Sequence, residues 1–120
     1  MMTRDEVKDE RAETAALNKV AAAGCAVDEQ CASNLAWVAD REERRGNPRR
    51  ALGFYKRAYD RAQNDAFLEA IARLAASAGL HTEAADGYER LARKHPEEAA
   101  RWQRAAARER EAAFTVTSPL

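Results

Sequence analysis

The sequence predicts an all-α fold of right-handed helical hairpins, about two and a half of them, with one further helix ahead. Three observations carry this. Gly46, Ala51, Tyr55 and Ala58 return as Gly79, Ala84, Tyr88 and Leu91 at a constant offset of 33 residues. Leu35, Val38 and Ala39 return at the same offset as Leu68, Ile71 and Ala72, and a partial third copy begins with Trp102, Ala105 and Ala106. The composition suits long amphipathic helices: alanine recurs throughout, a third of the 120 residues are charged, and there are only 5 glycines and 3 prolines. Within each copy a large residue is followed at three and four positions by apolar or small ones, which places them on one helical face. One hairpin cannot bury such a face alone, so a period of roughly 20 to 50 residues marks hairpins that stack.

Taken in order, residues 1–31 read as an N-terminal helix, Asp5 to Ala23, and a turn. Asp5 and Glu6 lie at the positive end of its dipole and Gly24 stops it. Val7, Ala16, Leu17, Val20 and Ala21 form a thin apolar stripe weighted to its second half, which suits a degenerate cap on the first hairpin; a partner-binding helix is the functional alternative. Residues 32–113 form the repeats and a capping helix. Asp28 is expected to cap the helix that ends near Arg45, and Gly46-Asn47-Pro48 marks a stop and restart, with Asn47 as N-cap and Pro48 in the first helical position. The helix from Pro48 to Gln63 buries Ala51, Leu52, Tyr55, Ala58 and Tyr59. Asn64 and Asp65 open a nearly continuous apolar helix, Ala66 to Ala78, ended by Gly79. Thr82 is expected to cap the next, which runs to Lys94. His95-Pro96 precedes a last helix, Glu97 to Ala113, whose charged finish suits a solvated end cap. Residues 114–120 read as a disordered tail.

This pattern resembles the tetratricopeptide repeat family (TPR) over about residues 32–111. The matching residues are Leu35, Val38, Ala39, Gly46, Ala51, Tyr55 and Ala58, then Leu68, Ile71, Ala72, Gly79, Ala84, Tyr88, Leu91 and Pro96, then Trp102, Ala105 and Ala106. Glu42 and Ala75 stand where a large aromatic is usual, Gln63 where proline is, and Leu91 where a small residue is. The resemblance implies a TPR-like solenoid whose first helices line a concave groove that holds an extended peptide or a partner helix. The candidate binding residues on that face are Trp37, Asp40, Arg44, Glu69, Arg73, Gln103 and Arg104, with Ser33, Ala36, Ala66, Ala70, Ala100 and Ala107 leaving room between them. Arginine supplies forked donors for carboxylates, and Trp37 can anchor an apolar side chain. The bland alternative packs Trp37 on the N-terminal helix and pairs the arginines with Glu69 or Asp40. The clamp by which some relatives grip chaperone C-terminal tails would fall on Ala36, Asp40, Ala70, Ala100 and Arg104. Only Arg104 fits it, so that partner is disfavoured.

No sequence motif for catalysis, a cofactor or a metal is present, and the carboxylates alternate with arginine at salt-bridging spacings. His81 and His95 fall at a turn and a helix boundary, where capping or solvent exposure outranks general-base duty. A non-catalytic protein-interaction module or adaptor is therefore expected, with no cofactor; a self-associating assembly subunit is the alternative. Nucleic acid is less expected, because twenty basic and twenty acidic residues leave no net charge and the basic run Arg41, Arg44, Arg45, Arg49, Arg50, Lys56, Arg57, Arg61 has no interleaved aromatic platform. No run of apolar residues is long enough to span a membrane, and the N-terminus lacks the apolar core of a secretory signal, so a cytoplasmic setting is the default. Cys25 and Cys31 can be packing thiols or a disulfide; a disulfide would point to a periplasmic or extracytoplasmic fragment.

Overall fold

The computed structural model describes residues 4–22 and 28–117. Six α-helices follow one another: α1 (Arg4–Ala22), α2 (Asp28–Arg44), α3 (Pro48–Arg61), α4 (Asp65–Ser77), α5 (His81–Lys94) and α6 (Ala99–Thr117), with a 3-10 turn at Pro96–Glu98 ahead of α6. Each helix packs on the next in sequence. The fold is all-α, and the order of packing is the order of the chain.

The turns repeat one geometry. Gly46 and Gly79 both take φ near +80°, a left-handed conformation that glycine alone adopts without a Cβ penalty. The Gly46 N–H donates to Glu43 O at 3.0 Å and the Asn47 N–H to Glu42 O at 3.0 Å; the Gly79 N–H donates to Ala76 O at 3.1 Å and the Leu80 N–H to Ala75 O at 2.8 Å. Both helix ends thus have their last carbonyls satisfied by the chain that leaves them. Burial recurs at the same offset: Leu35 and Leu68, Val38 and Ile71, Ala39 and Ala72, Ala51 and Ala84, Ala58 and Leu91 are all buried pairs.

The main core lies between α3, α4, α5 and α6, where Leu52, Tyr59, Leu68, Leu74, Leu91 and Trp102 meet. A smaller cluster of Ala32, Leu35 and Ala58, flanked by Leu17, Phe54 and Phe67, joins α1 to α2 and α3. Alanine at the contacts lets helix backbones come close: Gly87 of α5 is buried, and a Cβ placed on it would meet the Ala72 Cβ at 2.9 Å.

Several expected caps fall elsewhere. Asp28 is the first residue of α2 and sits inside its first turn. Asn47 holds the N-cap position of α3 but makes no side-chain cap bond; its Nδ2 donates instead to Glu42 Oε2 at 2.9 Å. Pro48 takes the first helical position, where its fixed φ suits the helix and its missing N–H costs no intrahelical bond. Thr82 is not the cap of α5. Leu80 is, because its carbonyl already accepts from the Ala84 N–H at 2.9 Å. Asn64 does cap α4, its Oδ1 accepting from the Ala66 N–H at 2.8 Å. α6 runs past Ala113 to Thr117, so Phe114 is helical rather than part of a tail. The side chains of Val7, Val20 and Ala21 lie outside the described residues, as does Cys25.

Candidate functional site

Some ion pairs link helices two apart in the chain, and others join neighbours, as Arg61 of α3 does with Asp28 of α2 and Arg110 of α6 with Glu89 of α5. Among the former, Arg73 of α4 forms a two-pronged pair with Glu43 of α2, one prong Nη2 to Oε1 at 3.0 Å, and Arg101 of α6 reaches Glu69 of α4 at 3.7 Å. These contacts lay α2, α4 and α6 side by side. Lys56 of α3 pairs likewise with Glu83 of α5.

Arg73 lies near enough to Tyr55 and Tyr88, which stand 33 residues apart, to act electrostatically on both hydroxyls. Tyr55 and Tyr88 are half-buried. Tyr55 packs its ring against Phe67 of α4 at 6.2 Å, and Tyr88 stacks on Trp102 of α6 at 5.8 Å. Each tyrosine therefore meets an aromatic ring of the helix that follows it. Neither hydroxyl has a hydrogen-bond partner among the described residues, and both hydroxyls are held above the ordinary value of 10.0. Burial is the main cause. The carboxylates Asp40 and Glu43 beside Tyr55, and Glu109 and Glu69 beside Tyr88, add to it, while Arg73 opposes both. Arg73 is itself raised, first by its bond to Glu43. The face thus presents two neutral O–H groups and a fixed guanidinium, all able to donate to carbonyl or carboxylate oxygens.

Of the residues read from sequence, Asp40, Arg44, Glu69 and Arg73 belong to this network. Asp40 pairs with Arg44 at 3.0 Å. Arg73 pairs with Glu43 rather than with Glu69 or Asp40, the acids of the alternative reading; Glu69 meets Arg101 and Asp40 meets Arg44. Trp37 is 39% exposed with the Arg41 guanidinium over its ring at 4.8 Å. Gln103 and Arg104 are exposed, and neither makes a hydrogen bond or ion pair among the described residues. Ala70 is buried, 7% exposed, and so does not line an open surface. Tyr55 and Tyr88 were legible as core only; their shared 33-residue offset was the signal that they also frame one site.

The basic run on α2 and α3 is largely neutralised: Arg44 pairs with Asp40, Arg45 and Arg50 with Glu42, Lys56 with Glu83, and Arg61 with Asp28. Cys31, fully buried at the start of α2, is disulfide-bonded; the chain has one other cysteine, Cys25. Among the described residues no helix is long and apolar enough to cross a membrane.

His95 serves a structural pairing. Its Nε2 lies 2.8 Å from Asp65 Oδ2 and its Nδ1 3.5 Å from Glu97 Oε1, while Lys94 Nζ donates to Asp65 Oδ1 at 2.8 Å. With exposed Glu97 and Glu98 of the 3-10 turn, His95 also forms the one group among the described residues whose three ligand atoms lie within 4.8 Å; exposed acids of this kind are common without an ion. The bond to Asp65 raises His95 above 6.5, and the bonds from Lys94 and His95 lower Asp65 below 3.8. The His95 contribution to stability is complete below 6.5 and fades as pH rises through the folded-state value; that of Asp65 is complete above 3.8 and fades as pH falls. An NMR titration of the imidazole is expected to read above 6.5 in the wild type and to return toward 6.5 in Asp65→Asn. An unchanged midpoint would show that the pair does not form in solution.

No protein-family model, curated protein or solved structure matches the chain.

Proposed function

We propose that the chain is a TPR-like solenoid of about two and a half helical hairpins and serves as a non-catalytic protein-interaction module. The face of α2, α4 and α6 holds an extended peptide or a partner helix. The observation that carries this reading is Arg73 framed by Tyr55 and Tyr88 with their hydroxyls unused. Two half-buried tyrosines beside a fixed guanidinium supply donors that suit the backbone and carboxylate oxygens of a bound segment. Trp37 at one end and Arg104 at the other add an apolar anchor and an open cation, residue types that dominate interface energetics. The repeat design is supported by the paired turns and paired burial at an offset of 33. It is supported too by a radius of gyration of 16.4 Å, above the roughly 13–14 Å of a closed globule of this length. The disulfide at Cys31 favours an oxidising setting.

The test is a peptide-display selection on the intact chain, followed by binding measurements with variants. Selected peptides are expected to bind at least about tenfold more weakly to Trp37→Ala and Arg104→Glu. Arg93→Glu, on α5, should leave them unaffected. Equal losses for all three, or a loss confined to Arg93→Glu, would place the partner face elsewhere.

A further inference from the structure

The two long sides of α6 treat their arginines differently. Toward α5, Arg110 is held by two acids: its Nη2 donates to Glu89 Oε1 at 2.7 Å and to Asp86 Oδ1 at 3.2 Å. The opposite side carries Arg101, Arg104 and Arg108, spaced by three and four residues and therefore in one row. Arg101 turns this row toward α4, where it meets Glu69 at 3.7 Å. Arg104 and Arg108 are exposed, and neither makes a hydrogen bond or ion pair among the described residues. Like charges one helical turn apart repel, and an acid within reach would relieve them. None does. Glu111, one turn beyond Arg108, forms no ion pair with it among the described residues, Glu109 lies 2.7 Å from His81 Nδ1, and Glu69 is taken by Arg101. Arg108 is also near enough to Tyr88 to act on its unpartnered hydroxyl. Two guanidinium forks and a hydroxyl thus face outward together, all of them donors.

We propose that Arg104 and Arg108 take the side-chain carboxylates of an acidic partner segment, one that carries Asp or Glu at alternate positions of an extended stretch. The inference rests on the reading of α2, α4 and α6 as a peptide-binding face and adds the partner's chemistry. Spacing favours alternation. Residues four apart on a helix stand about 6 Å apart along its axis, and residues two apart on an extended strand stand about 6.5 Å apart on one side. Each fork matches one carboxylate with two parallel bonds, so a single terminal carboxylate would leave the second arginine unused. A nucleic acid fits less well, because its phosphates continue past the row and would meet Glu69 and Glu98, the acids beside Arg101.

The experiment uses peptides selected by display on the full chain and synthesised with both termini capped. Acids are expected at alternate positions, and replacing them by Asn or Gln should weaken binding at least about tenfold. The double variant Arg104→Gln, Arg108→Gln should lose as much, and should no longer distinguish the acidic peptide from the amide one. Charge exchange is expected to restore binding: Arg104→Glu with Arg108→Glu should prefer a peptide carrying Lys at the two acidic positions. Neither variant should lower the urea midpoint, because a repulsive pair is removed. Selected peptides that lack acids yet weaken with Trp37→Ala would overturn this inference and leave the peptide face standing; no selected peptide at all would overturn both. Binding lost on capping the C-terminus would assign the row to a terminal carboxylate, and a single-stranded oligonucleotide of equal charge that binds more tightly would assign it to phosphates; either result would overturn the proposal. A lowered midpoint in the double Gln variant would do so too, by showing that the arginines serve the fold.

Discussion

Trp102→Ala is expected to cost about 3–5 kcal/mol of unfolding free energy, the largest single loss in the molecule. Trp102 is 5% exposed and closes the main core between α5 and α6. Its ring stacks on Tyr88 with an interplanar angle of 15°, and the Arg101 guanidinium covers it at 4.2 Å. Truncation leaves a ring-sized void beside Leu91 and strips Tyr88 of its support, so binding at the α2–α4–α6 face should weaken with it. The indole N–H, by contrast, is buried with no partner. Trp102→Phe removes that unpaired donor while keeping most of the ring, and is expected to cost less than about 1.5 kcal/mol. Urea unfolding of the two variants checks the pair of values. An alanine variant within about 1 kcal/mol of wild type would mean that the ring is not part of the core.

Gly87→Ala is expected to destabilise by about 1–3 kcal/mol, against the usual direction for glycine in a helix. Alanine in a helix interior is intrinsically better than glycine by about 0.5–1 kcal/mol. Gly87 departs from this because its missing Cβ is the contact between α4 and α5: the added atom would lie 2.9 Å from the Ala72 Cβ and 3.5 Å from its Cα. The obstacle is a stub on the backbone, so no rotamer relieves it. Gly53 supplies the control, being helical and exposed with nothing within 4 Å of where a Cβ would stand, and Gly53→Ala should gain about 0.5–1 kcal/mol. Combining Gly87→Ala with Ala72→Gly moves the methyl across the interface and should recover most of the loss. Additive losses in that double variant would show that the helices do not meet through these positions.

The helices were legible because the chain marks its own boundaries. Gly46 and Gly79 demand a left-handed turn, Pro48 suits the start of a helix, and Leu35, Val38 and Ala39, like Leu68, Ile71 and Ala72, fall on one helical face at helical spacing. Cap chemistry was less legible. Asn47 looks like an N-cap by position, but the buried Glu42 five residues earlier in sequence claims its amide. Glu42 itself shows why the site was only partly readable. It follows Leu35, Val38 and Ala39 at apolar positions, so its burial follows from periodicity, yet Glu13, which shares Arg45 with it, lies on a helix whose first turns read as polar all round. The pairing of Arg73 with Glu43 depends on which acid the fold brings closest, and local spacing carries no such information. Arg44, with Asp40 one helical turn before it, was readable for the opposite reason. The pairing of Lys56 in the basic run with Glu83, on another helix, was beyond local spacing for the same reason as that of Arg73 with Glu43.

Backbone amide shifts, recorded on the labelled chain as a selected peptide is added, test the partner face most directly. The largest changes are expected on α2, α4 and α6, centred on Arg73 and reaching Trp37 and Arg104, with the Tyr55 and Tyr88 side chains shifting in step. Changes concentrated on the outward residues of α3 and α5, with Arg73 and both tyrosines unmoved, would contradict it.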